Sequence, residues 1–522
     1  MARSSTGPAP PSASSSLTSR RRDEELARAV SGQPLIDLLV IGGGITGAGI
    51  ALDGATRGLR TVLIEANDLA FGTSRWSSKL IHGGLRYLAS GDIAVAYECA
   101  VERGRLLRFI APHLVRSTPM VLPLLPGITR KKAVQMGAGL VAGDILRRVA
   151  HTTNRDLPPP RRLSSAAVLE LAPGLSAKDV RGGLIFHDGQ VTDDARLVVA
   201  VARTAAAYGA SILTRVRATS IGADGVSVVD ERTGTSSVIA ARAVVNATGV
   251  WASELTPDVA LRPSRGTHVV LNRAVLPGLR TNLTLPFPGE HNRYLLLLPQ
   301  LDGHLYLGLT DDAADAVEDV PVPEPREIDE LLGALGTLLG HRVAAEHVIG
   351  AYTGLRPLLA GNADSATSDL SRTHAVVRGP HRTISVVGGK LTTYRRMAQD
   401  GVDAAIEYAG LNAGPCLTAR LPLVGAAPRG RLALLGESAL RIGRYGLEAS
   451  TVTEMEHDDP ALAELIAPGV PVTHAELRFS VLHEGALTAS DLLDRRFRVG
   501  LVVADRSAAL SAAEAAILAG SA

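Results

Sequence analysis

Apolar runs and turn residues alternate near residue 40 in a pattern that predicts a strand, a helix and a second strand. Residues 38–41 (LLVI) form an apolar run of strand length, and residues 48–58 have the small side chains of a helix packed closely on a sheet. Residues 61–64 are a second short apolar run, and the acidic Glu65 follows them. This order indicates a βαβ unit within an α/β domain that has a parallel sheet.

The turn between the first strand and the helix has the spacing of a dinucleotide-binding site. Gly42, Gly44 and Gly47 form G-x-G-x-x-G. The first glycine permits the tight turn, the second lets the backbone approach a pyrophosphate, and the third lets helix and strand touch. The helix start offers N–H groups to phosphates, and Glu65 is placed to accept hydrogen bonds from a ribose. A chance glycine turn is the alternative, which the complete strand, helix and acid pattern disfavours.

Further along the chain the α/β pattern returns twice, between strand-rich segments. We assign residues 35–115, 184–260 and 346–412 to one discontinuous dinucleotide-binding domain. Residues 116–183 and 261–345 are assigned to a substrate or cap domain, because they include the strand-like runs THVVLN, YLLLLPQ and HLYLGLT. Residues 413–522 are mostly helical in pattern. Residues 1–34, rich in Ser, Pro and Arg, are expected to form a disordered tail.

Composition excludes several classes of function. The 522 residues carry a formal net charge of +2, which gives no basic footprint for nucleic acid. Two cysteines give no disulfide framework, and the scattered histidines lack metal-site spacing, so we predict no metal. The chain has no run of about 20 apolar residues that could span a bilayer.

Two glycine-containing segments favour a flavin over a nicotinamide cofactor. In residues 72–88 (GTSRWSSKLIHGGLRYL), Gly83 and Gly84 would let the backbone lie against a flat ring. Residues 246–249 (NATG) end a strand in a turn, as expected where a second chain crossing meets a cofactor. The alternative for the first segment is an ordinary Ser/Gly loop. That segment also has hydroxyls suited to pyrophosphate and ribityl oxygens: Thr73, Ser74, Ser77 and Ser78.

Two later segments place cations beside glycines: residues 354–358 (GLRPL) and 388–395 (GGKLTTYR). Gly388 and Gly389 follow a predicted strand and leave helix-start N–H groups open toward an anion or a flavin carbonyl. Lys390 stands at the positive end of the helix dipole, an unusual place for a cation, which indicates a negative ligand. A solvated surface lysine is the alternative.

Taken together, these segments resemble the flavin-dependent glycerol-3-phosphate dehydrogenases of the respiratory, aerobic type. The resemblance covers residues 36–410 and is carried by IGGGITGAGIALDGATRGL, SSKLIHGGLRYL, VTDDARL, NATGVWA, GLRPL and GGKLTTYR, in the family's order. Residues 475–501 (AELRFSVLHEGALTASDLLDRRFRVGL) are similar to that family's C-terminal domain. Arg75 and Trp76 depart from the pattern, because small residues are expected after the threonine.

The resemblance implies a fold and a cofactor. The fold would combine a glutathione-reductase-like FAD-binding domain, an antiparallel-sheet substrate domain of the amino-acid-oxidase type and a helical C-terminal domain. The dinucleotide would be FAD, and it would lie along these residues: Gly42, Gly44, Gly47, Glu65, Thr73, Ser77, Ser78, Gly84, Gly249 and Gly389.

The resemblance also implies a substrate, sn-glycerol 3-phosphate, and its oxidation to dihydroxyacetone phosphate by hydride transfer from C2 to flavin N5. Such a dianion needs several cations in one pocket. Catalytic roles would fall on His268, Arg356 and Lys390, with His268 as base or substrate-orienting residue. A hydrogen-bonded core histidine is the alternative for His268. The implied substrate-binding residues are Arg86, Tyr87, His268, Arg356, Arg372 and Lys390.

The family passes its electrons to a membrane quinone, so the resemblance implies a cytoplasmic protein held peripherally on the inner face of the plasma membrane. Residues 122–148 combine apolar residues, Leu124 and Leu125 among them, with five basic residues: Arg130, Lys131, Lys132, Arg147 and Arg148. This suits an element attracted to an anionic membrane surface. An amphipathic helix packed on the core is the alternative.

Two rival functions stay open. One is a glycerol-3-phosphate oxidase, which would reduce dioxygen to hydrogen peroxide and share the same motifs. The other is a non-catalytic flavin-binding regulatory protein. A homodimer is a further option for the assembly.

Overall fold

The computed structural model describes residues 13–89, 91–290, 293–360 and 373–520. Within these ranges the strands form three sheets, and the helices cover them or build a separate C-terminal unit. The strands are β1 (Ile36–Ile41), β2 (Thr61–Glu65), β3 (Leu80–Ile81), β4 (Val115–Pro123), β5 (Arg161–Leu163), β6 (Gly183–Val191), β7 (Ser211–Thr214), β8 (Val216–Gly222), β9 (Gly225–Asp230), β10 (Thr235–Ile239), β11 (Ala241–Asn246), β12 (Ser264–Leu271), β13 (Asn282–Pro286), β14 (Tyr294–Pro299), β15 (Leu305–Gly308), β16 (Asp312–Ala313), β17 (Val348–Arg356), β18 (Ala375–Arg378) and β19 (Thr383–Val387).

The helices vary in length from three to twenty residues. They are α1 (Ser19–Ser31), α2 (Ile45–Thr56), α3 (Leu85–Ala89), α4 (Ile93–Arg105), α5 (Arg130–Val149), α6 (Ser165–Leu171), α7 (Asp194–Ala207), α8 (Ala252–Leu255), α9 (Pro325–Leu339), α10 (Tyr394–Ala409), α11 (Arg429–Ala433), α12 (Ala439–Tyr445), α13 (Ala449–Asp458), α14 (His474–His483), α15 (Ala489–Asp491) and α16 (Val503–Gly520).

The first sheet has the order β18-β19-β11-β1-β2-β7. All neighbouring strands are parallel except β18, which is antiparallel to β19. Strand β1 is buried on both faces: Leu38 and Val40 pack in the core with α2, α7 and α10, whereas Leu39 and Ile41 pack toward the small sheet β10-β9-β8. Burial on both faces explains the continuous apolar run of this strand. Parallel pairing places the carboxyl ends of β1, β2, β11 and β19 at one edge of the sheet.

The second sheet is mixed and mostly antiparallel. Its main path is β16-β12-β15-β14-β13-β4-β6-β3, with β17 paired to β12 and β5 to β6, and only its β4–β13 pair is parallel within the described residues. One face packs on α9, where Leu331 and Leu335 meet Val269 and Leu307 in a common core. The opposite face is therefore available for the site.

The helices after residue 416 form a unit with its own core, which includes Leu477, Phe479 and Leu492. Buried ion pairs attach this unit to the first domain. Arg496 donates two hydrogen bonds to Asp68, at 2.8 and 2.9 Å. Although burial alone would raise the pKa of Asp68, the Arg496 and Arg495 guanidiniums hold it well below its usual range. The expected combination of an α/β domain, a substrate sheet and a helical C-terminal domain is confirmed.

The prediction that residues 1–34 form a disordered tail is wrong for residues 13–34, which are described. Thr18 caps α1 by accepting from the Arg21 N–H at 3.1 Å. Arg22 is buried and donates to Asp230 at 2.5 Å. Composition underestimates this segment because its stabilising partners are charged groups about two hundred residues away, which a local count of apolar residues cannot include.

Two assigned segments also belong to the other domain. Strands β6 and β17 lie in the second sheet, although residues 184–191 and 348–356 were assigned to the dinucleotide-binding domain. Alternation along a strand shows which side chains share a face, but it does not identify the strand's hydrogen-bonding partner. The chain therefore crosses between the two sheets more often than its pattern indicates.

Candidate active site

The predicted glycine turn lies at the carboxyl edge of the parallel sheet. Gly42 follows β1 with φ of +111°, and a Cβ there would lie 2.6 Å from the carbonyl oxygen of Ala247. A Cβ at Gly47 would overlap the carbonyl oxygen of Gly42. The turn can form only without side chains at these two positions, as a dinucleotide site requires.

Glu65 ends β2 beside this turn. Its Oε2 accepts from the Gly43 N–H at 2.6 Å, and its Oε1 accepts from the Asn67 N–H at 2.7 Å. Burial raises the pKa of this carboxyl, and the two backbone donors oppose that effect. Glu65 is thus fixed at the edge where a ribose would lie in a βαβ dinucleotide site.

The hydroxyl groups after β2 differ in whether their protons are already donated to protein acceptors. Thr73 Oγ1 donates to the carbonyl oxygen of Leu355 at 2.7 Å, and Ser77 Oγ donates to Asp194 at 2.7 Å. Their protons are therefore committed to protein acceptors. Ser74 Oγ instead accepts from the Ile45 N–H at 2.9 Å and lies 3.1 Å from where a Cβ of Gly44 would be. Its proton can point toward a phosphate at Gly44, so Ser74 fits pyrophosphate better than Thr73 or Ser77.

The other predicted cofactor glycines follow neighbouring strands. Gly249 comes after β11 with φ of +65° and has open space where a Cβ would be. Gly388 and Gly389 come directly after β19, with φ of +77° and +81°. Gly84 has φ of +77° and packs against α4, where a Cβ would lie 2.9 Å from the Cα of Ala96. Gly42, Gly249 and Gly389 thus follow three parallel strands at one edge.

The β12–β17 pair presents the predicted substrate residues on one face. In its register His268 lies opposite Tyr352, and Ser264 lies opposite Arg356. Side chains four residues apart on a strand share a face, so His268 and Arg356 point to the same side of the sheet. The position between them on each strand is a glycine, Gly266 on β12 and Gly354 on β17.

His268 is held from several directions. Its Nε2 is 2.8 Å from Ser78 Oγ, and its ring stacks on Tyr352 with centroids 4.8 Å apart. Gly308 lies opposite it on β15, where a Cβ would overlap the imidazole. The Nδ1 atom has no hydrogen-bond partner among the described residues.

Burial, together with the positive charges of Arg356 and Lys79, lowers the pKa of His268 to about 3. The imidazole is therefore neutral near neutral pH, with one of its two ring nitrogens unprotonated. Lys79 is itself buried and donates to Asp194 at 2.5 Å, which leaves that pair as a fixed charge group beside the histidine.

Arg356 lies at the end of β17 and is about a fifth exposed. It donates from Nη1 to Ser264 Oγ at 3.1 Å and to Asp311 at 3.0 Å. A Cβ at Gly266 would overlap its Nη2. This geometry holds the guanidinium over Gly266 of β12.

Lys390 and Tyr87 form a second polar pair. The Lys390 Nζ lies 4.3 Å from the centroid of the Tyr87 ring, a cation–π contact. Lys390 comes just before the short 3-10 turn Leu391–Thr393, which leads into α10. Arg86 lies in α3, but its side chain is outside the described part of the chain, and Arg372 is outside the described residues altogether.

Sequence reasoning missed Tyr352, Lys79 and Asp194, and it treated Trp76 only as a departure. Tyr352 precedes GLRPL by two residues in the same strand, so strand alternation would have placed it on the face of Gly354 and Arg356. Asp194 lies within the quoted VTDDARL segment. No local signal distinguishes Lys79 from a surface lysine.

The residues at the glycine edge fit FAD. The Gly44 backbone and Ser74 Oγ form a place for a phosphate that a side chain at 44 would fill, and Glu65 stands at the ribose position. The other two hydroxyls nearby, on Thr73 and Ser77, can serve only as acceptors.

Comparison with known proteins gives the family. Residues 37–395 match the profile described as FAD dependent oxidoreductase, and residues 416–521 match the C-terminal domain of alpha-glycerophosphate oxidase. The chain is 49% identical over 511 residues to glycerol-3-phosphate dehydrogenase 1 of Mycobacterium tuberculosis, covering 96% of this chain and 98% of that protein. It is 31% identical over 545 residues to the mitochondrial glycerol-3-phosphate dehydrogenase of Arabidopsis thaliana, covering 94% and 84%.

Solved structures share the fold. The glycerol-3-phosphate dehydrogenase of Bacillus halodurans complexed with FAD aligns with a TM-score of 0.72 at 27% identity, over 95% of this chain and 94% of that one. The L-alpha-glycerophosphate oxidase of Mycoplasma pneumoniae with FAD bound aligns with a TM-score of 0.53 at 19% identity, over 74% of this chain and 99% of that one.

The glycine edge and the second sheet define an FAD-dependent oxidoreductase, and FAD is its cofactor. Because the match extends over both the flavin-binding region and the C-terminal unit, the class can be narrowed. The chain belongs to the FAD-dependent glycerol-3-phosphate dehydrogenase family.

Proposed function

We propose that this protein oxidises sn-glycerol 3-phosphate to dihydroxyacetone phosphate and passes the electrons to a membrane quinone. The observation that carries the proposal is the shared face of β12 and β17, which presents a fixed arginine and a neutral histidine. An anionic alcohol bound there would have its phosphate near Arg356 and its hydroxyl near His268.

The proposed substrate is a dianion, and the candidate residues supply cations of two kinds. Arg356 presents a planar fork that suits phosphate oxygens, and its contact with Asp311 holds the fork in one orientation. Lys390 is a point charge placed over the Tyr87 ring. In this proposal Arg356 and Lys390 bind the phosphate, and Tyr87 holds the ammonium group in place. Arg86 and Arg372 are proposed as additional phosphate ligands on the sequence alone.

Bound FAD supplies the hydride acceptor for the C2 hydrogen. His268 accepts the C2 hydroxyl proton, and Ser78 sets the orientation of its ring. The low pKa of the histidine reflects burial and two nearby cations. A bound dianion offsets those cations and raises the imidazole pKa, which makes it a better base when substrate is present.

Membrane attachment is supported by helix α5. Val134, Val141, Ile145 and Val149 are each more than half exposed, and their spacing places them on one side of the helix. The helix begins with the basic residues Arg130, Lys131 and Lys132. An exposed apolar stripe beside a basic end is typical of an interfacial helix. None of the helices in the described ranges is long and apolar enough to cross a bilayer.

The test is anaerobic reduction of the bound flavin. Glycerol 3-phosphate should bleach the flavin absorbance, whereas glycerol and lactate at the same concentration should not, because neither presents a phosphate to the cation pair. Flavin that stays oxidised with glycerol 3-phosphate in protein shown to contain FAD would contradict the proposed function and would favour a non-catalytic flavin-binding protein.

A second candidate, glycerol-3-phosphate oxidase, is favoured by the match of residues 416–521 to the C-terminal domain of alpha-glycerophosphate oxidase. The two functions differ only in the acceptor. Substrate-reduced protein should be reoxidised faster by a soluble quinone analogue than by air-saturated buffer. Rapid reoxidation by dioxygen with stoichiometric hydrogen peroxide would instead assign the oxidase.

A further inference from the structure

We propose that Tyr352 and Trp76 are positioning residues for His268, and that Arg498 of the C-terminal unit completes the stack that holds them. This inference rests on the proposed function, in which His268 accepts the substrate's hydroxyl proton. It concerns how the imidazole is oriented, and it assigns to the C-terminal unit a part in the active site.

The first contact of the stack is between His268 and Tyr352. The two rings face each other across the β12–β17 pair, with centroids 4.8 Å apart and planes inclined by 11°. The Tyr352 hydroxyl donates to the Ser77 carbonyl oxygen at 2.9 Å, which fixes the phenol at its far end. The Tyr352 ring therefore restrains the tilt of the imidazole plane.

The second contact is between Tyr352 and Trp76. Their ring centroids are 5.7 Å apart, and the planes are inclined by 26°. Trp76 has room because residue 354 is a glycine, where a Cβ would lie 2.5 Å from the Trp76 Cβ. The glycine of GLRPL thus leaves space for the backbone and Cβ of residue 76, from which the indole extends to Tyr352.

The third contact comes from the C-terminal unit. The Arg498 guanidinium carbon lies 4.7 Å from the Trp76 ring centroid, and that of Arg75 lies 4.3 Å from it. Arg498 also donates to the Arg75 carbonyl oxygen at 2.6 Å. Two guanidiniums over one indole hold it by cation–π attraction, so the C-terminal unit reaches His268 through Arg498, Trp76 and Tyr352.

The Ser78 hydrogen bond complements the stack. Stacking fixes the plane of the imidazole, and the contact of Nε2 with Ser78 Oγ at 2.8 Å fixes its rotation within that plane. A base must reach the hydroxyl proton within hydrogen-bond distance and angle. Loss of either restraint should therefore lower the rate of substrate oxidation more than it weakens substrate binding.

The experiment compares Tyr352→Leu with Tyr352→Phe by anaerobic stopped-flow reduction of the flavin. Tyr352→Leu removes the stack and should lower the limiting reduction rate by about 10- to 100-fold, with the substrate dissociation constant changed less than about threefold. Tyr352→Phe keeps the ring and should stay within about threefold of wild type. Trp76→Leu and Arg498→Met should lower the rate in the same direction but by less.

A double-mutant cycle shows whether Tyr352 acts through the histidine. In a His268→Gln background, Tyr352→Leu should cost no more than about twofold further, because there is no imidazole left to position. Full, multiplicative losses in the double variant would overturn the inference. A matched control is Tyr445→Leu, which removes a buried tyrosine in the core of the C-terminal unit and should leave the reduction rate unchanged.

A pH profile provides a readout that general loosening would not move. The charged groups facing His268 are Arg356, Lys79 and Asp194. Loss of the Tyr352 ring admits water to the imidazole, so the acidic limb of the reduction rate should move to higher pH in Tyr352→Leu and not in Tyr445→Leu. If wild-type flavin is not reduced at all, the proposed function fails. If wild type is reduced and His268→Gln is slow while Tyr352→Leu equals wild type, only the positioning role fails.

Discussion

The guanidinium of Arg356 lies directly over Gly266, so close that a Cβ at residue 266 would overlap Nη2. Gly266 pairs with Gly354 in the β12–β17 register, and Gly354 is covered in turn by the backbone and Cβ of Trp76. The absence of a side chain at 266 therefore sets the height of the arginine above the sheet.

Gly266→Ala should displace the guanidinium and weaken substrate binding. We expect KM for glycerol 3-phosphate to rise by about tenfold, with FAD content unchanged, because only the far end of a flexible side chain must move. Arg356→Ala should lower kcat/KM by an amount equivalent to about 2–4 kcal/mol of lost transition-state stabilisation. Arg356→Lys should recover only part of this loss, because lysine lacks the bidentate geometry of the guanidinium. Steady-state kinetics check all three. If Arg356→Ala behaves like wild type, Arg356 is not a phosphate ligand.

Much of the glycine edge could be predicted from the sequence, because the residues that form its turn lie close together in the chain. Gly42, Gly44 and Gly47 are needed by a turn that is complete within a few residues, and Glu65 follows the next strand. The substrate residues His268, Arg356 and Lys390 came from resemblance to a family. Their arrangement depends on strand pairing between distant segments, which no local pattern specifies.

The hydroxyl groups after β2 and the N-terminal segment show what a local reading of the sequence cannot predict, namely which partner each side chain binds. Sequence identifies Thr73 and Ser77 as polar, but it does not reveal that both donate their protons to protein acceptors while Ser74 retains its own. Likewise the arginines near the start of α1 belong to a segment that was predicted to be disordered. Arg22 is nevertheless buried, where it donates to Asp230. In both cases the deciding partner is remote in the chain.

Flavin binding should depend on the space at Gly44. Gly44→Val would place a branched side chain beside Ser74 Oγ, where a phosphate would otherwise meet the backbone. We expect the purified variant to be colourless, with less than about a tenth of the wild-type FAD released on denaturation. Gly137→Ala on α5, where a Cβ meets nothing, is the control and should be as yellow as wild type. A yellow Gly44→Val protein would argue against this phosphate position.

Lys390 should contribute charge to substrate binding. Lys390→Met keeps the length of the side chain but removes the ammonium from the Tyr87 ring, and we expect KM to rise by about tenfold or more. Tyr87→Phe keeps the π face and should change KM by less than about threefold. Competitive inhibition by inorganic phosphate supplies an independent measurement and should weaken in parallel. Unchanged phosphate inhibition in Lys390→Met would place the lysine outside the anion pocket.

Acid should destabilise the fold through His113. Burial, with a smaller contribution from Arg196, lowers the pKa of His113 to about 3. The unfolded chain binds this proton near pH 6.5, whereas the folded chain does not. The stability is therefore complete above about pH 6.5 and falls, by up to about 1.4 kcal/mol per pH unit, as pH decreases toward about 3.

His113→Asn removes this titration, so its thermal midpoint should fall less than that of wild type between pH 7 and pH 5. His151→Asn replaces an exposed histidine and should follow the wild-type curve. Parallel curves for wild type and His113→Asn would show that His113 does not contribute to the acid sensitivity. Burial lowers the pKa of His268 in the same way. The stability of His113→Asn should therefore still decrease somewhat as the pH falls.

Membrane attachment should need both the basic start of α5 and its exposed apolar stripe. Replacing Arg130, Lys131 and Lys132 with glutamine should weaken binding to anionic vesicles, by about 1 kcal/mol per basic residue, in a manner that high salt reproduces in the wild type. The salt-insensitive part comes from the exposed stripe rather than from Leu125, which is buried, so Val141→Ser with Ile145→Ser should lower binding even at high salt.

The charge-matched control replaces Arg429, Arg431 and Arg478, exposed residues of the C-terminal unit, with glutamine. Flavin reduction by glycerol 3-phosphate should be the same in every variant, because the stripe and the basic end are not part of the proposed pocket. Vesicle co-sedimentation provides the measurement, and equal losses in the control and the α5 variants would locate the attraction in net charge rather than in this helix.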